Sequence, residues 1–246
     1  MSFVVSPDAY GRYMGRYAEP LARVFGAFAG VSGAVLDVGC GPGAVTAYLR
    51  SAGTAVSAID PSPTFVDAVR ERFPDVEVRR GTAEELPYDA GAFDAALAQL
   101  VVHFMQDPVG GVKQMARVTR SGGIVAACMW DAKTGALGPF WDAVRALDPD
   151  ADDQGLVSGA PHGYLTDVFH AAGLRDVYEE LIAVDVVHPS FAEWWEPYTY
   201  GVGVAGDYVQ RLDDDGRVRL ETVARERLGP GPFTVTAAAW AVRGTV

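Results

Sequence analysis

The stretch Val35-Leu36-Asp37-Val38-Gly39-Cys40-Gly41-Pro42-Gly43 constrains this chain more than any other. Apart from Asp37, Ala34 to Val38 is an aliphatic run without alternation, the pattern of a strand buried on both faces of a parallel sheet. It runs into a turn with glycine at every second position, then into a helical pattern from Ala44 to Arg50. Glycine leaves no Cβ where backbone must come close to a ligand, and it tolerates positive φ. The helix points its N-terminal amides and positive dipole end back at the turn. Such a strand–turn–helix unit suits a nucleotide-like ligand.

Spacing narrows the choice. The dinucleotide fingerprint is G-x-G-x-x-G with the pyrophosphate on the helix N-terminus. Here the order is Asp37-x-Gly39-x-Gly41-x-Gly43, with an acid inside the end of the strand. A second strand, Thr54 to Ile59, ends in Asp60, about twenty residues beyond Gly39, the offset at which a carboxylate meets ribose hydroxyls. Three further blocks follow: Gly81-Thr82-Ala83-Glu84-Glu85-Leu86-Pro87-Tyr88, Phe93 to Phe104, and Ala116-Arg117-Val118-Thr119-Arg120-Ser121-Gly122-Gly123-Ile124-Val125-Ala126. With these blocks the sequence resembles the class I S-adenosylmethionine (SAM)-dependent methyltransferases of the UbiE-like, small-molecule group, well over residues 8–130 and in outline beyond.

Strand patterns at 34–38, 55–59, 76–79, 93–98 and 123–129 alternate with helical ones, which predicts a mainly parallel, doubly wound α/β sheet. The resemblance implies seven strands in the order 3-2-1-4-5-7-6 with the last antiparallel, helices on both faces and a lid. A single domain over 1–246 is expected, with lid helices in 1–30, the SAM-binding core in 31–130 and acceptor-side insertions with C-terminal strands in 131–246. The expected later elements are helices at 139–147 and 165–172, a strand at 177–187, an aromatic segment at 191–200, a flexible Gly201–Gly206 stretch, one helix at 207–228 and a strand at 233–242. The double glycine at 122–123 reads as the helix terminator and turn.

Composition excludes several classes. Net charge is −12, so the positive footprint that a nucleic-acid binder needs is missing, and anionic membranes are disfavoured for the same reason. Hydrophobic residues make up 49%, enough for a sizeable core, yet the longest apolar run, Ile124 to Trp130, is strand-sized rather than membrane-spanning. No signal peptide is visible. Two cysteines, Cys40 in the turn and Cys128 in a buried strand pattern, fit a reducing cytoplasm rather than a disulfide framework. The histidines and cysteines lack metal-ligand spacing, so no metal is expected.

The resemblance also implies roles for particular residues. Asp60, followed by Pro61, would hold the ribose diol; Gly39, Cys40, Gly41 and Gly43 would form the close turn, and Asp37 would brace it or meet the SAM amino group. Gln99 and Leu100 would present backbone beside the methionine portion. The third block matches G-D-A-x-x-L-P-F, but the acid that meets the adenine amine is Thr82 here, leaving those contacts to Thr82, Ala83, Glu84 or packing. Before the first strand, Tyr10, Tyr13 and Arg16 match a lid segment in which Arg16 would face the methionine carboxylate; otherwise they sit on amphipathic helices with the arginines solvated. His103, after the fourth strand, is the one candidate proton acceptor, its alternative being a packed or capping histidine. Trp130, Trp194, Trp195, Tyr198 and Tyr200 would line an apolar acceptor pocket, or simply be core.

The expected activity is methyl transfer from SAM to a small apolar or aromatic metabolite, releasing S-adenosylhomocysteine, by a monomer or homodimer. A SAM-binding protein of the same fold with a cyclase-like or regulatory role is the alternative. The Pro-Pro-Tyr loop of base and amide methylases is absent from the fourth block.

Overall fold

The computed structural model of the chain describes residues 11–151, 159–201 and 203–246. Seven strands form one sheet: β1 (Ala34–Val38), β2 (Ala55–Asp60), β3 (Glu77–Arg80), β4 (Phe93–Gln99), β5 (Thr119–Trp130), β6 (Arg175–His188) and β7 (Phe233–Thr245). Their order is β3-β2-β1-β4-β5-β7-β6, with β1 to β5 parallel and β7 antiparallel to both neighbours. This is the expected topology. Strand order reverses between β1 and β4, and in open α/β sheets that reversal leaves a crevice at the carboxyl ends of the strands.

Helices α1 (Arg16–Ala29), α2 (Ala44–Ser51), α3 (Pro63–Arg72), α4 (Pro108–Val118), α5 (Gly138–Leu147), α6 (Tyr164–Ala171), α7 (Phe191–Trp195), α8 (Gly203–Arg211) and α9 (Asp214–Leu228) cover it. The central strands are rich in alanine, and their sides are buried beneath bulkier helix residues: Leu21, Phe25, Phe140 and Trp194 in one cluster, Met115, Leu165 and Phe169 in another. A one-turn π-helical segment, Gly11–Gly15, leads into α1, and together they lie over the crevice. Tyr10 lies outside the described residues.

Three expectations are corrected. The helix expected over 207–228 is two, because Asp213 caps a new one by accepting the Gly216 amide at 2.7 Å and the chain breaks at Leu212. Within the stretch expected to be flexible, Gly203 to Gly206 belong to α8, and Gly206 is buried where a Cβ would stand 2.7 Å from the Gly201 carbonyl carbon; residue 202 lies outside the described residues. The double glycine does not end α4, which stops at Val118 with the Thr119 hydroxyl donating to the Met115 carbonyl. Gly123 lies inside β5 at a register irregularity, where any Cβ would approach the Asp94 carbonyl oxygen to 2.5 Å.

Candidate active site

The turn after β1 forms the floor of a cavity of about 250 Å³. Its walls are Asp37, Gly39, Cys40, Gly41 and Pro42 from β1 and the turn, Ala44 and Val45 from α2, and Gln99 and Leu100 from the end of β4. Gly11, Gly15, Ala18 and Glu19 close it from the lid side, and Ala68 and Arg72 of α3 form the rim, where Arg72 reaches Glu19 at 3.4 Å. Of the residues expected to bind a cofactor, Asp37, Gly39, Cys40, Gly41, Gln99 and Leu100 meet here.

The turn is built by two constraints. Gly39 has φ +68°, and a Cβ there would collide with Val101 at 2.5 Å. Gly41 has φ +52° with nothing within 4 Å of its Cβ position, so it faces open space. The amides of the turn are already used: Gly39 and Cys40 donate to the Ile59 carbonyl at 2.8 and 3.1 Å, and Gly43 to Cys40 at 2.9 Å. Gly41 donates to Asp60 Oδ2 at 2.8 Å, while Ser62 donates to Oδ1 at the same distance. Asp60 therefore braces the turn from beneath. Its burial raises its pKa, opposed by those two amides.

Asp37 is 1% exposed and its Oδ2 accepts the Thr46 hydroxyl at 2.6 Å. Burial pushes its pKa up to about 7, because a charge in a poorly solvated site is disfavoured. Burial likewise pushes the Cys40 thiol up. Leu100 holds φ +60°, a left-handed conformation that a bulky residue adopts only when its surroundings impose it; its amide donates to the Cys128 carbonyl at 2.8 Å. The turn amides are thus taken by protein acceptors, and the cavity wall carries the Asp37 carboxyl, with Glu19 and Arg72 at the lid and rim. A cationic sulfonium or ammonium can pair with such a carboxyl.

Other expected residues lie elsewhere. Pro61, Thr82, Ala83 and Glu84 do not line the cavity: Ala83 is buried against Met105 and Gly111, and Glu84 accepts the Gln106 amide at 2.8 Å. Gly43 caps α2 with φ +92° against Phe73. Arg16 does not face the cavity. It pairs with Glu193 and lies 2.9 Å from His188 Nδ1, because its side chain leaves α1 on the face turned toward β6 and α7. Tyr13 packs edge-on against Tyr198 with ring centres 5.6 Å apart. His103 is also outside the cavity wall. Its ring lies on Phe104, its Nδ1 is enclosed without a hydrogen-bond partner, and burial lowers its pKa to about 4.

The aromatic segment is largely core rather than pocket wall. Trp130, Trp194, Trp195 and Tyr198 are each less than 8% exposed; the last three pack on Phe140, Phe191 and one another and Trp130 packs edge-on against Tyr17, while Tyr200 is turned outward. Filled by their own rings, these side chains leave a nook of about 10 Å³ beside Tyr17 and His188, room for about one water. Sequence reasoning missed the buried set around that nook. His188 is 1% exposed, its Nε2 lies 2.8 Å from the Tyr17 hydroxyl, and its Nδ1 is 3.1 Å from Glu193. Its one visible sign was a histidine ending an otherwise apolar strand pattern.

Comparison with known proteins agrees with this geometry. The methyltransferase-domain family matches residues 36–127, the span from β1 to β5 that carries the cavity wall. An uncharacterized methyltransferase of Mycobacterium tuberculosis is 34% identical over 152 residues, 62% of this chain and 61% of the relative. The malonyl-(acyl-carrier protein) O-methyltransferase of Salmonella typhimurium is 34% identical over 111 residues, 45% of this chain and 44% of the relative. The chain thus spans less than two thirds of the length of these curated relatives. Among solved structures, the YcgJ protein from Bacillus subtilis aligns with a TM-score of 0.58 at 18% identity, covering 93% of this chain and 97% of that one. The geranyl diphosphate C-methyltransferase from Streptomyces coelicolor A3(2), in complex with Mg2+, geranyl diphosphate and S-adenosyl-L-homocysteine, aligns at 0.51 and 17%, covering 94% and 80%. At such identities these two likenesses speak for the fold alone.

The fold and the glycine-turn cavity define the Rossmann-like methyltransferase class. Within it, the match over residues 36–127 and the methyltransferase relatives support a class I SAM-dependent methyltransferase. Among the described residues no helix is long and apolar enough to cross a membrane, and no cluster of three His, Cys, Asp or Glu could hold a metal.

Proposed function

We propose that the protein transfers a methyl group from SAM to a small, apolar or aromatic metabolite. The observation that carries this reading is the cavity at the switch point, with Asp37 buried in its wall beneath the Gly39–Gly41 turn. Asp37 and Gln99 would hold the methionine end and the turn above Asp60 the nucleoside. When bound, SAM supplies an activated methyl on a sulfonium with a good leaving group. The chain then has to align the acceptor and exclude water; the lid of Gly11–Ala29 over the cavity suits the second task. An acidic enol, thiol or phenolate needs no strong base, and His103, neutral near pH 7 and away from the cavity wall, is not needed as one.

The net charge of −12 supports a small-molecule acceptor over nucleic acid. The sparse cysteines fit a reducing cytoplasm. The test is formation of S-adenosylhomocysteine from SAM across a panel of phenols, enols and quinols. Acceptor-dependent product supports transfer; SAM binding with no turnover on any member favours the non-methylating alternative.

A further inference from the structure

Gln99, the last residue of β4, is a wall of the cavity and also touches the lid. Its Nε2 donates to the Ala18 carbonyl of α1 at 2.9 Å. That bond fixes the amide's orientation, because a backbone carbonyl can only accept. The other end, Oε1, is fully enclosed and has no hydrogen-bond partner in the protein. A buried acceptor without a donor is costly, and native proteins rarely leave one so. Leu100, immediately after, is held in the left-handed region at the strand end, and the Gln99 amide bridges from there to the lid. Ala18, Glu19 and Gln99 all border the same cavity.

The geometry points to Gln99 as the residue that couples cofactor binding to lid position: Oε1 takes a hydrogen bond from the α-ammonium of the cofactor's methionine end while Nε2 holds α1 at Ala18. This rests on the SAM reading above and adds to it a side chain that senses one part of the ligand. Asp37, buried in the same wall, supplies the charge that attracts the ammonium; Gln99 supplies the neutral acceptor and the tie to the lid. A ligand with the adenosyl thioether but no amino acid end, such as 5′-methylthioadenosine, lacks the donor and leaves Oε1 unsatisfied.

The test uses the full chain, S-adenosylhomocysteine and 5′-methylthioadenosine, with calorimetry and hydrogen exchange over residues 16–22. For wild type, S-adenosylhomocysteine slows exchange in that segment at least threefold more than saturating 5′-methylthioadenosine does. Gln99→Leu, close in size and free of polar atoms, binds S-adenosylhomocysteine about tenfold or more weakly, a change of one decade in Kd, while 5′-methylthioadenosine affinity stays within about threefold. Equal losses for the two ligands, or equal lid protection by both in wild type, overturn the assignment. The wild-type exchange comparison stands even if the variant folds poorly. Failure of wild type to bind either compound overturns the SAM reading itself, a separate outcome.

Discussion

The Asp60 carboxylate accepts the Gly41 amide at 2.8 Å, joining the end of β2 to the turn that follows β1. The acid that would meet a ribose is thus also the brace of the glycine turn. Replacing it tests both duties. Asp60→Ala strips the Gly41 and Ser62 amides of their shared partner, and bonds to a charged acceptor contribute more than neutral ones. The expected result is a loss of about 2–3 kcal/mol in denaturant unfolding together with weaker SAM binding; unchanged affinity would separate the acid from the cofactor site.

The two positive-φ glycines of the turn that line the cavity, Gly39 and Gly41, separate packing from ligand space. Gly39→Ala forces a methyl into Val101 and keeps an unfavourable φ, so it should cost about 2–4 kcal/mol from combined overpacking and left-handed strain. Gly41→Ala meets no protein atom and should cost only about 1–2 kcal/mol, yet it puts a methyl where the ligand approaches. Chemical denaturation and SAM titration of both variants check this. A stable Gly41→Ala protein with full affinity would place the ligand elsewhere.

Asp37 should make binding pH-dependent. Its pKa, about 7 when folded against 3.8 as the ordinary value, is raised by burial. Between those values the folded chain keeps a proton that the unfolded chain has released. The unliganded protein therefore loses stability as pH rises through this window, and the effect levels off above it. A cationic ligand favours the carboxylate and expels that proton. SAM should bind more tightly at pH 8 than at pH 6, and calorimetry in two buffers of different ionisation enthalpy should register proton release near pH 6.5 (roughly, from the raised pKa). Asp37→Asn should abolish both effects.

The Arg16–Glu193–His188 set fastens the lid to β6 and α7. Burial lowers the His188 pKa, so below about 6.5, its ordinary value, the unfolded chain takes up a proton that the folded one resists. Burial works to raise Glu193, but its bonds to Arg16 and His188 outweigh that and hold it below the usual range; the stability it adds is present above its ordinary pKa and is lost as pH falls further. Both effects loosen the lid in acid. Hydrogen exchange over 11–29, corrected for intrinsic rates, should speed up at pH 5.5 relative to pH 7.5. Glu193→Gln should cost about 1 kcal/mol, kept small because Glu193 is a third exposed.

The parallel half of the fold was legible because its signals are local. Aliphatic strands, a glycine turn, and Asp37 and Asp60 at strand ends each reveal their place through neighbours in sequence, and all reappear where expected. What stayed hidden depends on distant partners. Arg16 looked like a match for a ligand carboxylate, but Glu193 lies far along the chain and takes that role. The aromatic residues at 191–200 could have lined a pocket, and only the arrival of Phe140 against Tyr198, ring centres 4.7 Å apart, turns them into core. Gly206 read as flexible because its tight neighbour, Gly201, is invisible without the fold.

The central claim is that the cavity beneath the lid holds the SAM cofactor, and titration calorimetry of the wild-type protein with S-adenosylhomocysteine tests it most directly. The account predicts one saturable site with a Kd of about 1–100 μM, competed by SAM and weakened at least tenfold in Asp60→Ala. No saturable heat at millimolar ligand, or equal binding to the variant, would contradict it.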